Sequence, residues 1–264
     1  MSVLPPFEHL RPGSLEAALD TISETAAPYA GGTELLLAMK AGLLRPDMLV
    51  DVKRIDRLTR VEIAGDQMSI GAAVTHREAL SDPAVRRLLP VLAEVLGRVG
   101  NPRVRAVGTL GGNLCFAEPK SDVATILIAM GGSVRLVSPK GERIVAVEEF
   151  VVGPYTTTRA DDEILSEILV PLDRSRAVYE KFQTMERPTV GVAGSIAHDG
   201  SVRVVIGAVG GSPHLHVANS LDSVDADALA GDVEVIPDMT GSERYKRHVT
   251  RLYVQKVLTS LETT

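Results

Sequence analysis

A chain of 264 residues, at roughly 150 residues per domain, predicts about two domains. Its 45% hydrophobic and 23% charged residues exclude a disordered or collagenous chain, and no apolar run reaches the roughly 18 residues needed to span a membrane. The net charge of −6 and the absence of Trp, with four Phe and five Tyr, speak against a nucleic-acid binder, which needs a basic face and stacking platforms.

One cysteine, Cys115, forbids an internal disulfide and any zinc or iron–sulfur site built from this chain's own thiolates. It predicts a reducing, cytoplasmic setting. Met1 to Pro6 carries neither the basic nor the apolar region of a signal peptide.

Leu15, Ala18, Leu19 and Ile22 lie at helical spacing behind Ser14, a good helix cap. A strand-like Pro28-Tyr29-Ala30 then meets Gly31-Gly32, and a helical stretch follows from Thr33 to Gly42. With a strand at 48–52, the first 55 residues read as a small α/β unit with parallel strands. Alternating runs at 61–64 and 68–70 predict a hairpin, and helices are predicted at 75–81 and 84–99. Residues 100–121 are the least periodic and read as a loop that still carries Leu110, Leu114 and Phe116. Asp122 to Met130 predicts a helix too apolar for a surface, ended by Gly131-Gly132. Strands at 133–138, 143–147 and 164–170 follow, the last stopped by Pro171. The polar link 171–175 is the expected domain boundary; beyond it, runs at 177–184, 190–197 and 201–209 predict an antiparallel meander, and 241–261 a helix.

Two glycine motifs stand out. Ala30-Gly31-Gly32-Thr33-Glu34 occupies a strand-to-helix turn, where small residues, free amides and the helix dipole favour a phosphate; it is equally a plain helix start. No Lys follows the glycines as a nucleoside-triphosphate loop requires. Thr109-Leu110-Gly111-Gly112-Asn113 repeats the pattern, so that the two turns could share a pyrophosphate, or it forms a tight irregular turn suited to left-handed conformations. Asp122 reads either as a helix cap or as a ligand for a hydroxyl. Cys115 has no charged sequence neighbour and reads as a small hydrophobe. His214 and His216 share one side of a strand without a third metal ligand nearby, and Arg103 and Arg105 read as partners either of a phosphate or, as expected of exposed arginines, of local carboxylates.

Together the two glycine motifs, Glu118-Pro119-x-x-Asp122 and Gly241-Ser242-Glu243-Arg244-Tyr245-Lys246-Arg247 resemble the FAD-binding medium subunit of molybdenum hydroxylases, the family of xanthine dehydrogenase and aerobic carbon monoxide dehydrogenase. The resemblance covers nearly the whole chain. It implies an α+β architecture: an FAD-binding domain over 1–172, split near residue 58 into a small parallel unit and a mixed or antiparallel unit, then a C-terminal domain over 176–264 with an antiparallel sheet and helices. It implies FAD contacts from Pro28, Tyr29, Ala30, Gly31, Gly32, Thr33, Glu34 and Leu35 at the pyrophosphate, from Thr109, Gly111, Gly112 and Asn113, and from Asp122 on the flavin's sugar-like chain. Val99 falls near the adenine end, Leu165 at a backbone contact, Lys181 beside the cofactor, and Cys115 with Leu114 and Phe116 near the flavin ring. Thr33-Glu34 stands where the carbon monoxide dehydrogenase type has His-Ser, and Glu118 where the family commonly has Asp.

The implied role is an electron-transfer subunit without acid–base residues of its own. A 2Fe-2S small subunit would deliver electrons, a molybdopterin-binding large subunit would act on the substrate, and NAD+, a quinone or oxygen would be the external acceptor. A free-standing FAD-dependent oxidoreductase of the same fold and a flavin-free scaffold are the alternatives. Bulky replacements at Gly32 or Gly111 are expected to remove flavin and leave the fold intact.

Overall fold

The computed structural model describes residues 4–263; Met1–Val3, part of the stretch read for a signal peptide, and Thr264 lie outside the described residues. Strands β1 (Glu8–Leu10), β2 (Ala26–Tyr29) and β3 (Met48–Asp51) form a parallel sheet in the order β1-β3-β2. Helices α1 (Leu15–Leu19) and α2 (Leu35–Lys40) make the crossovers that parallel strands require. Ser14 caps α1 by accepting the Ala17 N–H (3.2 Å), and α1 buries Leu15, Ala18 and Leu19, the residues of the helical stripe. The short first strand has no sequence signal, being three exposed residues.

The second unit is a five-stranded antiparallel sheet with helices on it. Its hairpin is β4 (Val61–Ala64) and β5 (Gln67–Gly71), followed by α3 (His76–Ser81), α4 (Pro83–Leu88) and α5 (Pro90–Gly97). The single helix expected over 84–99 is two helices, because Pro90 lacks the N–H that would continue the ladder through Leu89. The loop expected over 100–121 is largely helical as well: α6 (Pro102–Val107) and α7 (Leu110–Phe116). Each helix is short but well capped. Asn101 accepts the N–H groups of Arg103 (2.9 Å) and Val104 (3.1 Å), Pro102 takes the first helical position, and Thr109 caps α7.

Helix α8 (Asp122–Ala129) follows, then β6 (Ser133–Ser138), β7 (Gly141–Ala146), α9 (Val147–Phe150), the small hairpin β8 (Val151–Gly153) and β9 (Thr156–Thr157), and β10 (Ile164–Pro171). The sheet order is β4-β5-β10-β6-β7.

The third unit is an antiparallel meander of β11 (Arg174–Phe182), β12 (Val190–Ala197), β13 (Val202–Gly207) and β14 (His214–Ala218). It is backed by α10 (Ala226–Asp232) and the long α11 (Glu243–Thr263). The strand β14 carries His214 and His216, and no three His, Cys, Asp or Glu converge on a metal site among the described residues. None of the described helices is long and apolar enough to cross a membrane.

Helix α8 joins the second and third units. All eight of its residues are buried, as its apolar sequence predicts. It lies in one core cluster with Leu92 and Leu96 of α5, Ile168 of β10, and Tyr179, Ala193 and Val205 from the four-stranded sheet. Each fully buried Ile or Leu contributes about 1.5–3 kcal/mol. The last carbonyls of α8, which have no helical partner, are taken by that sheet: Arg203 Nε donates to Ile128 O (3.0 Å) and Ser195 Oγ to Ala129 O. A helix held this way at its C-terminal end carries a fixed N-terminal turn, and that turn begins at Asp122.

Candidate functional site

The first glycine turn joins β2 to α2. Gly32 sits at φ +69°, in the left-handed region where a side chain is strained, and a Cβ on it would meet the Tyr29 ring at 2.6 Å. Gly31 is needed for a different reason: its Cβ would lie 2.2 Å from Val107 O and 2.7 Å from Gly108 Cα. The turn therefore lies directly against the backbone leading into the second glycine motif. Glu34, in the cap position of α2, makes no side-chain cap bond, and the amides of Gly31, Gly32, Thr33, Glu34 and Leu35 find no acceptor among the described residues. Five successive partly buried N–H donors at a helix start are groups that an anion could satisfy. Tyr29 is braced below it by Lys53, whose Nζ lies 4.3 Å from the ring centroid.

The second motif is built differently from the expected irregular turn. Gly111 and Gly112 have no positive φ and lie in the first turn of α7. The amides of that turn are spent internally: Leu110 on Val74 O (3.1 Å), Gly111 on Ala72 O (3.0 Å), Gly112 on Thr109 Oγ1 (3.1 Å) and Asn113 on Thr109 O (3.0 Å). The second turn thus leaves no free amide from Leu110 to Asn113, whereas the first leaves its amides unpaired. Gly111 allows close packing, since its Cβ would lie 2.5 Å from Ala72 Cβ, whereas a Cβ on Gly112 would meet within 4 Å only the hydroxyl of Thr109, at 2.8 Å. Gly112 is the open glycine.

Asn113 carries the line onward. Its Oδ1 accepts from Ser121 Oγ (2.6 Å), and its amide nitrogen has no partner among the described residues, leaving two donors for a ligand. Ser121 is the cap of α8, accepting the Ala124 N–H (3.3 Å), so Asp122 is not the cap and its carboxylate is free for other partners. Those partners come from β11. Tyr179 Oη donates to Asp122 Oδ1, and Lys181 Nζ to Oδ2 at 2.7 Å, with both side chains of the ion pair 7% exposed. Burial, then the neighbouring Asp122, pushes the Tyr179 phenol far above its ordinary range, so it stays protonated and donates. Lys181 also borders a cleft of about 620 Å³ with Arg98, Phe182 and Tyr253; neither glycine turn lines it.

The loop after β11 returns to the first turn. Arg187 pairs with Glu34 (2.9 Å) and Glu118 (3.4 Å), and Glu118 accepts from Tyr155 Oη (3.0 Å). Burial works against the charge of Arg187 and raises the Tyr155 phenol pKa, while Glu118 and Glu34 hold Arg187 charged.

The remaining expected residues stand further from this line. Leu165 is 4% exposed with its side chain in the core, which leaves only its backbone to face a ligand. Cys115 is half-buried, and burial pushes its thiol up to about 11 despite Arg159. Val99 packs at the core edge, and its carbonyl accepts from Arg105 Nη1 (2.9 Å). Arg105 is thus engaged by backbone carbonyls, with Gly100 O the second (3.1 Å), rather than by a local carboxylate as expected. No side-chain hydrogen bond or ion pair ties Val99 or Cys115 to the glycine turns among the described residues, although Cys115 shares α7 with the second motif. Tyr179, Ser121 and Arg187 escaped the sequence reading; Tyr179 was recoverable from strand alternation, being two residues from Lys181 and so on its face.

Residues 5–173 match the family of FAD binding domains in molybdopterin dehydrogenases. The chain belongs to that family. FAD is its cofactor, and the residues present fit it: a run of unpaired amides for a pyrophosphate, an open glycine beside it, and a fixed carboxylate and ammonium beyond. This FAD-binding chain is 35% identical over 170 residues to the nicotine 6-hydroxylase medium subunit of Paenarthrobacter nicotinovorans, a match covering 64% of this chain and 60% of that one. It therefore spans about three fifths of that relative's length. It is 30% identical over 279 residues to the carbon monoxide dehydrogenase medium chain of Hydrogenophaga pseudoflava, covering 97% of each. The solved structure of carbon monoxide dehydrogenase from Hydrogenophaga pseudoflava superposes with a TM-score of 0.90 at 27% identity, covering 99% of each chain.

Proposed function

We propose that this chain is the FAD-carrying electron-transfer subunit of a multi-subunit molybdenum hydroxylase, folded as an FAD-binding domain over 1–172 and a C-terminal domain over 176–264. It receives electrons from a 2Fe-2S small subunit, is assembled with a molybdopterin-binding large subunit in the cytoplasm, and releases electrons to an external acceptor such as NAD+, a quinone or oxygen. The observation that carries the reading is the run of five unpaired amides at Gly31–Leu35, packed through Gly31 against the second glycine motif. Support comes from the full-length likeness to a medium chain of carbon monoxide dehydrogenase.

FAD, when bound, supplies the exchange between single-electron and paired-electron transfer. The chain's own residues bind and orient it. The amides of 31–35 and the N-terminal end of α2 hold its pyrophosphate, Gly112 gives the cofactor room, and Asn113 offers its side-chain donors. Asp122 accepts from hydroxyls of the sugar-like chain while holding Lys181 in place. Val99, Leu165 and Cys115 complete the envelope at the adenine end and near the ring.

Co-purification from the native host tests the partners. Tagged chain is expected to bring down one chain with iron–sulfur absorption and one with molybdenum, and the chain alone is expected to turn over no substrate. A chain that purifies alone and oxidises a substrate by itself would establish the free-standing oxidoreductase instead.

A further inference from the structure

The Asp122–Lys181 pair does not stand alone, and what holds it falls outside every residue set assigned above to the cofactor. We propose that Tyr179 is a positioning residue of the flavin site: it pins the Asp122 carboxylate from beneath, so that Asp122 and Lys181 present a fixed pair of charges to FAD. The inference rests on the FAD reading of this site.

Three observations support it. First, the contact is buried and directed. Tyr179 is 6% exposed, its hydroxyl donates to Asp122 Oδ1, and Lys181 takes Oδ2 (2.7 Å), so each carboxylate oxygen has its own donor from one face of β11. Second, the neighbouring strands are cut away to make the contact possible. Gly191 of β12 has no Cβ where one would lie 2.6 Å from the Tyr179 hydroxyl. Its cross-strand partner Gly207 has none where one would lie 2.1 Å from Thr125 Oγ1 on α8. Paired glycines weaken a sheet, and here they admit the phenol on one strand and the first turns of α8 on the next. Third, the backbone of Asp122 is already fixed by the Ser121 cap and by Ser195 and Arg203 at the far end of α8. Only the carboxylate torsion remains free, and Tyr179 removes that freedom.

The electrostatic consequence has a sign. A phenol donor draws off part of the carboxylate charge, so Asp122 neutralises Lys181 less completely and opposes added electrons on the flavin less strongly. Loss of the hydroxyl should weaken FAD binding and make the flavin harder to reduce.

The test uses the full chain with FAD bound, in wild type, Tyr179→Phe, Asp122→Asn and the double variant, reading the FAD dissociation constant and the flavin midpoint potential by spectroelectrochemistry. Tyr179→Phe is expected to raise the dissociation constant ~10-fold, the size of a hydrogen bond to a charged group, and to lower the potential. In the Asp122→Asn background the same change should alter binding by less than about twofold and leave the potential in place, because the phenol acts through the carboxylate. Gly191→Ala, which crowds the hydroxyl, should shift both readings in the same direction as Tyr179→Phe. Equal losses in both backgrounds would reduce Tyr179 to packing and overturn the proposal, as would unchanged binding and potential in Tyr179→Phe. A folded wild-type chain that takes up no FAD, alone and again with its partner subunits added, would overturn the site reading and this proposal together.

Discussion

Glycines at this site do three different jobs that the amino-acid letter does not separate. Gly32 supplies a left-handed φ, Gly31 and Gly111 allow backbone-to-backbone or backbone-to-Ala72 contact, and Gly112 keeps a surface clear. The expectation that Gly32 or Gly111 could be enlarged without harming the fold is therefore corrected: a side chain at Gly32 is strained at its left-handed φ and meets the Tyr29 ring, one at Gly111 meets Ala72, and Gly32→Ala and Gly111→Ala should each cost about 1–3 kcal/mol, read as a lower urea midpoint with unchanged slope. Gly112→Phe is the separating variant. It should keep the far-UV circular dichroism of the wild type, lower the urea midpoint somewhat because its Cβ displaces the Thr109 cap hydroxyl, and lose FAD; a Gly112→Phe chain that retains FAD would remove Gly112 from the site. The motif as a pattern was legible in sequence. Which glycine is walled in and which stays exposed was not, because that depends on Ala72 and Val107, distant in sequence and brought alongside by folding.

At the scale of elements, the second motif illustrates why a run of glycine and proline misleads. Residues 100–121 lack the hydrophobic period of a helix, yet α6 and α7 form because Asn101 and Thr109 cap them and α7 packs into the core through Leu110 and Leu114. Tertiary packing outweighs the propensity cost of roughly 1 kcal/mol per glycine.

The same region holds a buried histidine. His76, at the first position of α3, donates its backbone N–H to Gly108 O (3.0 Å), and its ring lies along Gly108, with Nδ1 unpartnered among the described residues. Burial, then the neighbouring Arg105, lowers its pKa from 6.5 to about 4. The unfolded chain thus binds a proton that the native chain refuses between those values. Stability should be full above pH 6.5, fall as the pH drops towards 4, and level off below. The loss is on the order of 3 kcal/mol. Urea unfolding across this window should show the slope in wild type and a flatter profile in His76→Gln; parallel profiles would assign the slope to other groups.

For the molecule as a whole, most of the plan was readable from local pattern: the parallel α/β start, the buried α8, the antiparallel meander and the terminal helix. What sequence could not supply was assembly. The candidate site is drawn from the three larger sheets: the turn after β2, the helices above the five-stranded sheet, and β11 with its following loop. Two bonds close it. Lys181 reaches Asp122 across 59 positions and Arg187 reaches Glu34 across 153, and pairings at such separation leave no trace in a single chain. The resemblance to a known family bridged that gap for Asp122 and Lys181, strand alternation from Lys181 points to Tyr179, and Arg187 is reached only through the fold.

The most direct measurement is the FAD stoichiometry of the purified full chain, from its visible spectrum after FAD addition and gel filtration, with the released cofactor identified after denaturation. The account predicts a flavin spectrum with about one FAD per chain, one site being all that a single run of free amides can fill. A well-folded chain that holds no FAD, alone and again when supplemented with its iron–sulfur and molybdenum partner subunits, would contradict it.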